Sequence, residues 1–238
     1  MTRLLLASAS PARRATLRAA GIDPLVAVSS VDEEAALAAA RERFGALEPA
    51  DAVLVLAQAK AEDVARGLDD ETRALVVRDE AGEPVADDDP LDDVLLLGCD
   101  SMLELDGAIL GKPADADDAV RRWHAMRGRT GVLHTGHWLV DLRPTGGGAT
   151  GPAGTGATFG ATASTVVRFA DLSDAEVAAY VATGEPLAVA GAFTVDGLGG
   201  PFVESIEGDH HNVVGLSLPL LRELLGELDV RVPDLWRR

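Results

Sequence analysis

The sequence predicts a mixed α/β domain. Three observations carry that expectation. Strand-like and helix-like segments alternate along the chain. Residues 94–98 form a continuous apolar run, as expected of a central strand covered on both faces. The chain has 238 residues, 47% of them hydrophobic, enough to build one domain around a sizeable core.

The elements follow in order. Residues 3–7 read as a short buried strand. Ser10 is placed to cap a helix with Pro11 at its first position, and Gly21 stops it. A second short strand is expected over 25–29. A helix over 32–44 has an acidic first turn, which suits the helix dipole. Pro49 opens a longer helix over 49–68, in which Val53, Leu56, Ala57 and Val64 recur near helical spacing. A strand expected over 74–78 interrupts an acidic stretch. After the 94–98 strand, a hairpin over 102–109 turns at Asp106-Gly107. A helix over 115–126 and a strand over 131–141 come next. The Gly/Thr/Ala-rich stretch after them reads as a long hairpin loop, with the return strand at 166–169. Ser173 and Glu176 form a capping box for a helix that stops at Gly184. A strand over 202–206 and a helix over 219–228 close the chain. The expectation is one domain over 1–238, with an acidic insertion at about 67–93 and a Gly-rich loop at about 142–161.

Composition narrows the function. There are 39 acidic and 21 basic residues, a net charge of −18. Such a surface repels nucleic-acid backbones and anionic membranes unless cations cluster locally. Aromatic content of 4% offers no platform for stacked bases. A single cysteine, Cys99, excludes an internal disulfide and a cysteine zinc site. No apolar run approaches the roughly 20 residues of a membrane span. The run at 4–7 is shorter than the roughly 7–15 residues of a signal h-region. A cytoplasmic protein is expected.

Against that acidic background, basic residues are informative. Ser8, Ser10 and Arg13 follow the first strand in "LASASPARR". The bland reading is a helix start. The sharper one is an anion site, with free backbone N–H groups, two hydroxyls and a guanidinium converging. Lys60, in "LAQAKA", is either a surface lysine with a buried stem or a cleft cation. Lys112, in "GKP", faces either phosphate or solvent. Asp100, in "LLLGCDS", ends a wholly apolar strand, where ligand crevices form. Burying its carboxylate is costly unless a cation, a metal or a hydrogen-bond network meets it. Asp196 lies among glycines and could receive a base edge or a metal-bound water. His134 and His137 are three apart on a strand and so point to opposite faces. His210-His211 is expected in a turn.

Taken in order, "LASASPARRATLRAAGI", "VDE" at 31–33, "LAQAKA", "GCDS", "LDGAILGKP", "ADDAVRRWHAMRGRTGVLHTG", "LSDAEVAAYVATGEPLAVAGAF" and "IEGDHHNVVGLSLP" span nearly the whole chain. This ordered set resembles the Maf family of nucleoside triphosphate pyrophosphatases. The resemblance implies a mixed-sheet fold of two lobes with a cleft between them, usually dimeric. It implies hydrolysis of a nucleoside triphosphate to the monophosphate and pyrophosphate, helped by Mg²⁺ or Mn²⁺. It further implies clearance of non-standard or surplus nucleotides and a link to cell division arrest. By the resemblance, Ser8, Ser10 and Arg13 contact phosphate, Glu33 serves the metal, Lys60 is the cleft lysine and Asp100 is the catalytic acid/base. Lys112 matches the lysine of the "GKP" turn.

Three positions depart from the family pattern. Ala12 stands where many members carry arginine, a contact that Arg14 could supply. Ser101 replaces a frequent threonine. Asp196 stands where the subfamilies carry glutamine or glutamate. The competing expectation is a non-catalytic nucleotide sensor that regulates division through a protein partner.

Overall fold

The computed structural model describes residues 2–69, 77–79, 81–84, 93–145 and 154–236. Among the described residues, seven strands form one mixed sheet: β1 (Arg3–Ala7), β2 (Leu25–Val26), β3 (Val94–Leu105), β4 (Ala108–Leu110), β5 (Thr130–Asp141), β6 (Thr158–Phe169) and β7 (Val203–Glu207). The strand order is β2-β1-β3-β5-β6-β7, with β4 added to the edge of β3. β1 runs parallel to β2 and β3, and every other pairing is antiparallel.

The helices are α1 (Pro11–Ala19), α2 (Glu33–Phe44), α3 (Pro49–Asp69), α4 (Ala116–Met126), α5 (Asp174–Ala182), α6 (His210–Val214) and α7 (Leu218–Gly226). Their starts follow the expected chemistry. Ser10, Asp32, Asp115 and Ser173 each accept a backbone N–H at the head of a helix, and Ser173 with Glu176 completes the capping box. Asp106 and Gly107 both have positive φ, 52° and 78°, which joins β3 to β4 by a tight turn matched to strand twist.

Four elements depart from the sequence expectation. The strand expected over 25–29 ends at Val26, because the chain then turns so that Val28, Ser29 and Val31 line a cleft. The strand expected over 94–98 continues to Leu105, so Asp100 is internal to β3 rather than at its end. Its antiparallel partner β5 pairs with it from Leu95 to Glu104 and extends it. The return strand expected over 166–169 begins at Thr158. Its Gly- and Ala-rich half has weak strand propensity, and pairing with β5 along its length overrides that. His210-His211 lies in α6, whose Asp209 cap accepts the His211 N–H at 3.0 Å, rather than in a turn. Of the strand expected over 74–78, residues 77 and 78 are described, and Arg78 forms an antiparallel bridge to Val26; residues 74–76 and much of the acidic stretch lie outside the described residues, as does the centre of the Gly-rich loop.

Helix α3 lies flush on the sheet. A Cβ on Gly98 of β3 would stand 2.2 Å from the Ala57 carbonyl oxygen, and one on Gly136 of β5 would stand 2.3 Å from that of Val53. Only glycine permits so close an approach. The contact face of α3 is correspondingly small and apolar: Ala52, Val53, Leu56, Ala57 and Ala61 are all fully buried. A second core gathers Trp123, Phe169, Tyr180 and Phe193 around Leu103. Trp123 meets Phe169 edge to face at 5.8 Å. Its indole N–H donates to the Ala192 carbonyl at 2.8 Å, which ties down the segment that forms the far wall of the cleft.

Candidate active site

The cleft opens where the sheet changes partners. Parallel pairing of β1 with β3 stops at Ala7–Gly98, and β4 pairs only from Leu103 onward. Between them, the edge of β3 at 99–102 faces a cavity of about 490 Å³. A sheet edge between diverging partners is where α/β folds form ligand crevices. Ser8, Ser10, Arg13, Glu33, Lys60, Asp100, Lys112 and Asp196 all line this one cavity.

At its centre the Lys60 ammonium donates directly to Asp100 Oδ1 and lies 2.7 Å from Glu33 Oε1. Asp100 is only 6% exposed. Burial pushes its carboxyl up, while Lys60 and Arg13 pull it down without cancelling that effect. The lysine is therefore a partner for a costly buried charge, not a surface residue with a buried stem.

Arg13 is buried and almost saturated. Its Nε donates to the Gly215 carbonyl at 2.7 Å, Nη1 to Ser8 Oγ and the Cys99 carbonyl at 3.0 Å each, and Nη2 to Ser101 Oγ at 2.9 Å. Of the five N–H groups a guanidinium carries, one on Nη2 remains. Ser8 Oγ also accepts from the Ser10 N–H at 3.2 Å, and Ser10 Oγ caps α1. In those contacts both hydroxyls act as acceptors, so each still has a proton to donate. The helix start thus leaves two hydroxyl protons and one guanidinium N–H at the cleft.

Behind Arg13, Ser101 Oγ meets Thr135 Oγ1 at 2.9 Å, and Thr135 donates to the Asn212 carbonyl at 3.1 Å. His137 accepts the Ser217 N–H through Nε2 at 2.9 Å. Burial lowers its pKa to about 4, so it is a neutral structural imidazole. His134 turns to the other face and meets Glu104 and Ser164. The Cys99 thiol is fully buried and pushed up to about 12 by that burial, so it is no nucleophile.

The family model described as Maf-like protein matches residues 3–228. The chain is 52% identical to a nucleoside triphosphate pyrophosphatase of Salinispora tropica over 99% of its own length and 88% of that protein's. It is 50% identical to one of Leifsonia xyli subsp. xyli, covering 99% of this chain and 97% of that one. For one of Streptomyces coelicolor the identity is 49%, covering 98% and 94%. The chain belongs to the Maf family.

One expected site residue of this Maf chain, Arg14, falls outside the cleft. Arg14 lines a neighbouring hollow with Arg18 and Val26, and its Nη2 donates to the Asp79 carbonyl at 2.7 Å. One position along a helix rotates the side chain by about 100°, so Arg13 and Arg14 cannot share a face. Arg14 therefore does not supply the contact that Ala12 lacks.

The cleft also has walls the sequence did not announce. Val28 and Val31 form one side, and Ala188, Val189, Ala190 and Phe193 the other. Two of Arg13's acceptors are backbone carbonyls, for which no residue type gives a signal. Asp209, His210 and His211 bring ligand atoms within 4.8 Å of one another, outside the cleft lining.

Proposed function

We propose that this chain hydrolyses nucleoside triphosphates to the monophosphate and pyrophosphate. The observation that carries the reading is the shared cleft: a buried carboxylate on a lysine, beside a hydroxyl-and-guanidinium cradle, inside a protein of net charge −18. A triphosphate needs a local reversal of that field. Arg13, Lys60, Lys112 and the head of α1 supply it. The names of the relatives support the same reaction.

The Ser8 and Ser10 hydroxyls and the spare Arg13 N–H hold phosphate oxygens. Lys60 and Lys112 neutralise the chain as it enters. Asp100 orients a water on the α-phosphorus and takes its proton. The new bond joins water oxygen to Pα, the bond from Pα to the bridging oxygen breaks, and pyrophosphate leaves with the electron pair. Positioning and charge stabilisation dominate such transfers.

The donor set fits a hard divalent ion, since Glu33 and Asp100 present oxygens that already converge on one cation, the Lys60 ammonium. Two carboxylates leave room for phosphate oxygens and water. Bound there, Mg²⁺ or Mn²⁺ would neutralise phosphate charge and polarise the reacting phosphoryl group. The wider reading is a cytoplasmic homodimer that removes non-standard or surplus nucleotides and is tied to division arrest. The test is pyrophosphate release across a panel of triphosphates, with Mg²⁺, Mn²⁺ or EDTA. Turnover that EDTA abolishes is expected. Binding without turnover would favour the sensor reading.

A further inference from the structure

The cleft has a charged end and a mostly apolar end. At the apolar end the wall is the 188–193 segment followed by the loop 194–199, which places Thr194 and Asp196 on the cavity. A nucleotide with its phosphates at Arg13 and Lys60 directs its base toward this wall. Asp196, an acceptor-only carboxylate, is the polar side chain there best suited to read N–H groups on a base edge.

The loop has little regular structure to hold it in place. It is held by one carboxylate from outside the loop. Glu185 accepts from the Leu198 N–H at 3.0 Å, the Gly199 N–H at 3.0 Å, the Tyr180 hydroxyl at 3.2 Å and the Thr194 hydroxyl. Tyr180 closes the ring by accepting the Thr194 N–H at 3.2 Å. Contact is tight enough that a Cβ on Gly197 would stand 2.6 Å from Glu185 Oε2. Burial works against the charged form of Glu185, but the bonds from Thr194, Leu198, Gly199 and Tyr180 outweigh it and hold the carboxyl below its usual range. The carboxylate therefore stays an acceptor at neutral pH. Glu185 does not itself line the cavity.

We propose that Glu185 is the positioning residue of the base-reading loop: it sets the place of Asp196 and with it the discrimination between bases, and takes no part in the phosphoryl chemistry. The inference rests on the triphosphatase reading and on Asp196 meeting the base. A neutral amide at 185 keeps one acceptor oxygen where the carboxylate has two, so part of the ring opens and the loop loses its register.

The experiment compares wild type, Glu185→Gln, Tyr180→Phe and Asp196→Ala on ATP, GTP, CTP and UTP. Inorganic tripolyphosphate serves as a base-free competitive inhibitor, and thermal unfolding monitors the fold. For Glu185→Gln, kcat/KM on the preferred nucleotide falls roughly ten-fold through KM, the scale of a lost charged hydrogen bond. The spread of kcat/KM across the four bases contracts, and the tripolyphosphate Ki holds. Tyr180→Phe, which loses the hydroxyl's bonds to Glu185 and to the Thr194 N–H but leaves the carboxylate on the Leu198 and Gly199 N–H groups, moves the same ratios less, and it decides the matter if Glu185→Gln does not fold. A uniform loss across all four nucleotides and tripolyphosphate, or an unchanged spread, overturns the proposal. If Asp196→Ala contracts the spread while the other two variants do not, only the positioning role fails. If Asp196→Ala leaves the spread intact, the base-reading loop itself is wrong. If the wild type has no turnover, the triphosphatase reading fails.

Discussion

The Lys60 ammonium donates directly to the carboxylate of Asp100, 40 residues away in the chain. The pair is possible because Gly98, two residues before Asp100, lets the backbone of α3 rest on β3 at Ala57, one turn before Lys60. A close helix–sheet contact thus becomes a close charge pair, and the pair answers the cost of burying Asp100.

Removing the charge at Asp100 tests the chemistry. Asp100→Asn lowers kcat by about 10²–10⁴, the usual scale for a general base, while unfolding stays cooperative. Pyrophosphate release near the wild-type rate from the folded variant would take Asp100 out of the mechanism.

Removing the charge at Lys60 tests the pair. Lys60 lowers the Asp100 pKa against the effect of burial. In Lys60→Ala that pull is gone, the Asp100 pKa rises further, and the acid limb of kcat/KM moves to higher pH. KM for the triphosphate rises as well. An unmoved limb and an unchanged KM would return Lys60 to the status of a surface residue.

Gly98→Ala tests the contact that brings the two together. A methyl group there meets the Ala57 carbonyl at 2.2 Å, so α3 must shift outward. Overpacking of this kind costs about 1–3 kcal/mol, readable by urea titration. Activity falls along with stability because Lys60 moves with the helix. Full stability in the variant would mean that α3 does not lie where the structure places it.

Arg13→Ala removes the donor from two backbone carbonyls, those of Cys99 and Gly215, which are left unpaired in the interior. The expected cost is about 2–4 kcal/mol, in addition to loss of the phosphate contact proposed above. A variant with wild-type stability but weakened substrate binding would show Arg13 to be a pure ligand residue.

His137 predicts an acid-side loss of stability. Its pKa is depressed from 6.5 to about 4 by burial, so the unfolded chain binds the proton more readily. Its contribution is complete above the unfolded value and is lost as pH falls from about 6.5 through about 4, by up to about 3 kcal/mol. Equilibrium unfolding of wild type and His137→Gln across pH 7 to 4 should show the steeper fall in the wild type. Equal slopes would refute the assignment.

Much of the architecture was legible in local chemistry. Caps at Ser10, Asp32, Asp115 and Ser173, the Asp106-Gly107 turn and the 94–98 apolar run each encode an element through a few neighbouring residues. Strand lengths were not legible. The Gly- and Ala-rich half of β6 is a strand only because β5 pairs with it, and β3 runs past Asp100 for the same reason. The site residues were legible as types in ordered motifs. Which reading each took was not: Lys60 alone in its helix reads as a solvated lysine, and Arg14 reads as a substitute for the contact that Ala12 lacks.

The sequence by itself determined where most helices begin, which side chains carry charge, and that an acidic protein holds a few cations in recurring motifs. Those properties depend on residues within a turn or two of one another. Only the tertiary structure decided that Arg13 faces the cleft and Arg14 does not, that Lys60 lies on Asp100, and that Glu185 holds the loop bearing Asp196. Each of these is a contact between elements far apart in the chain, set by backbone approach and strand pairing rather than by any local pattern.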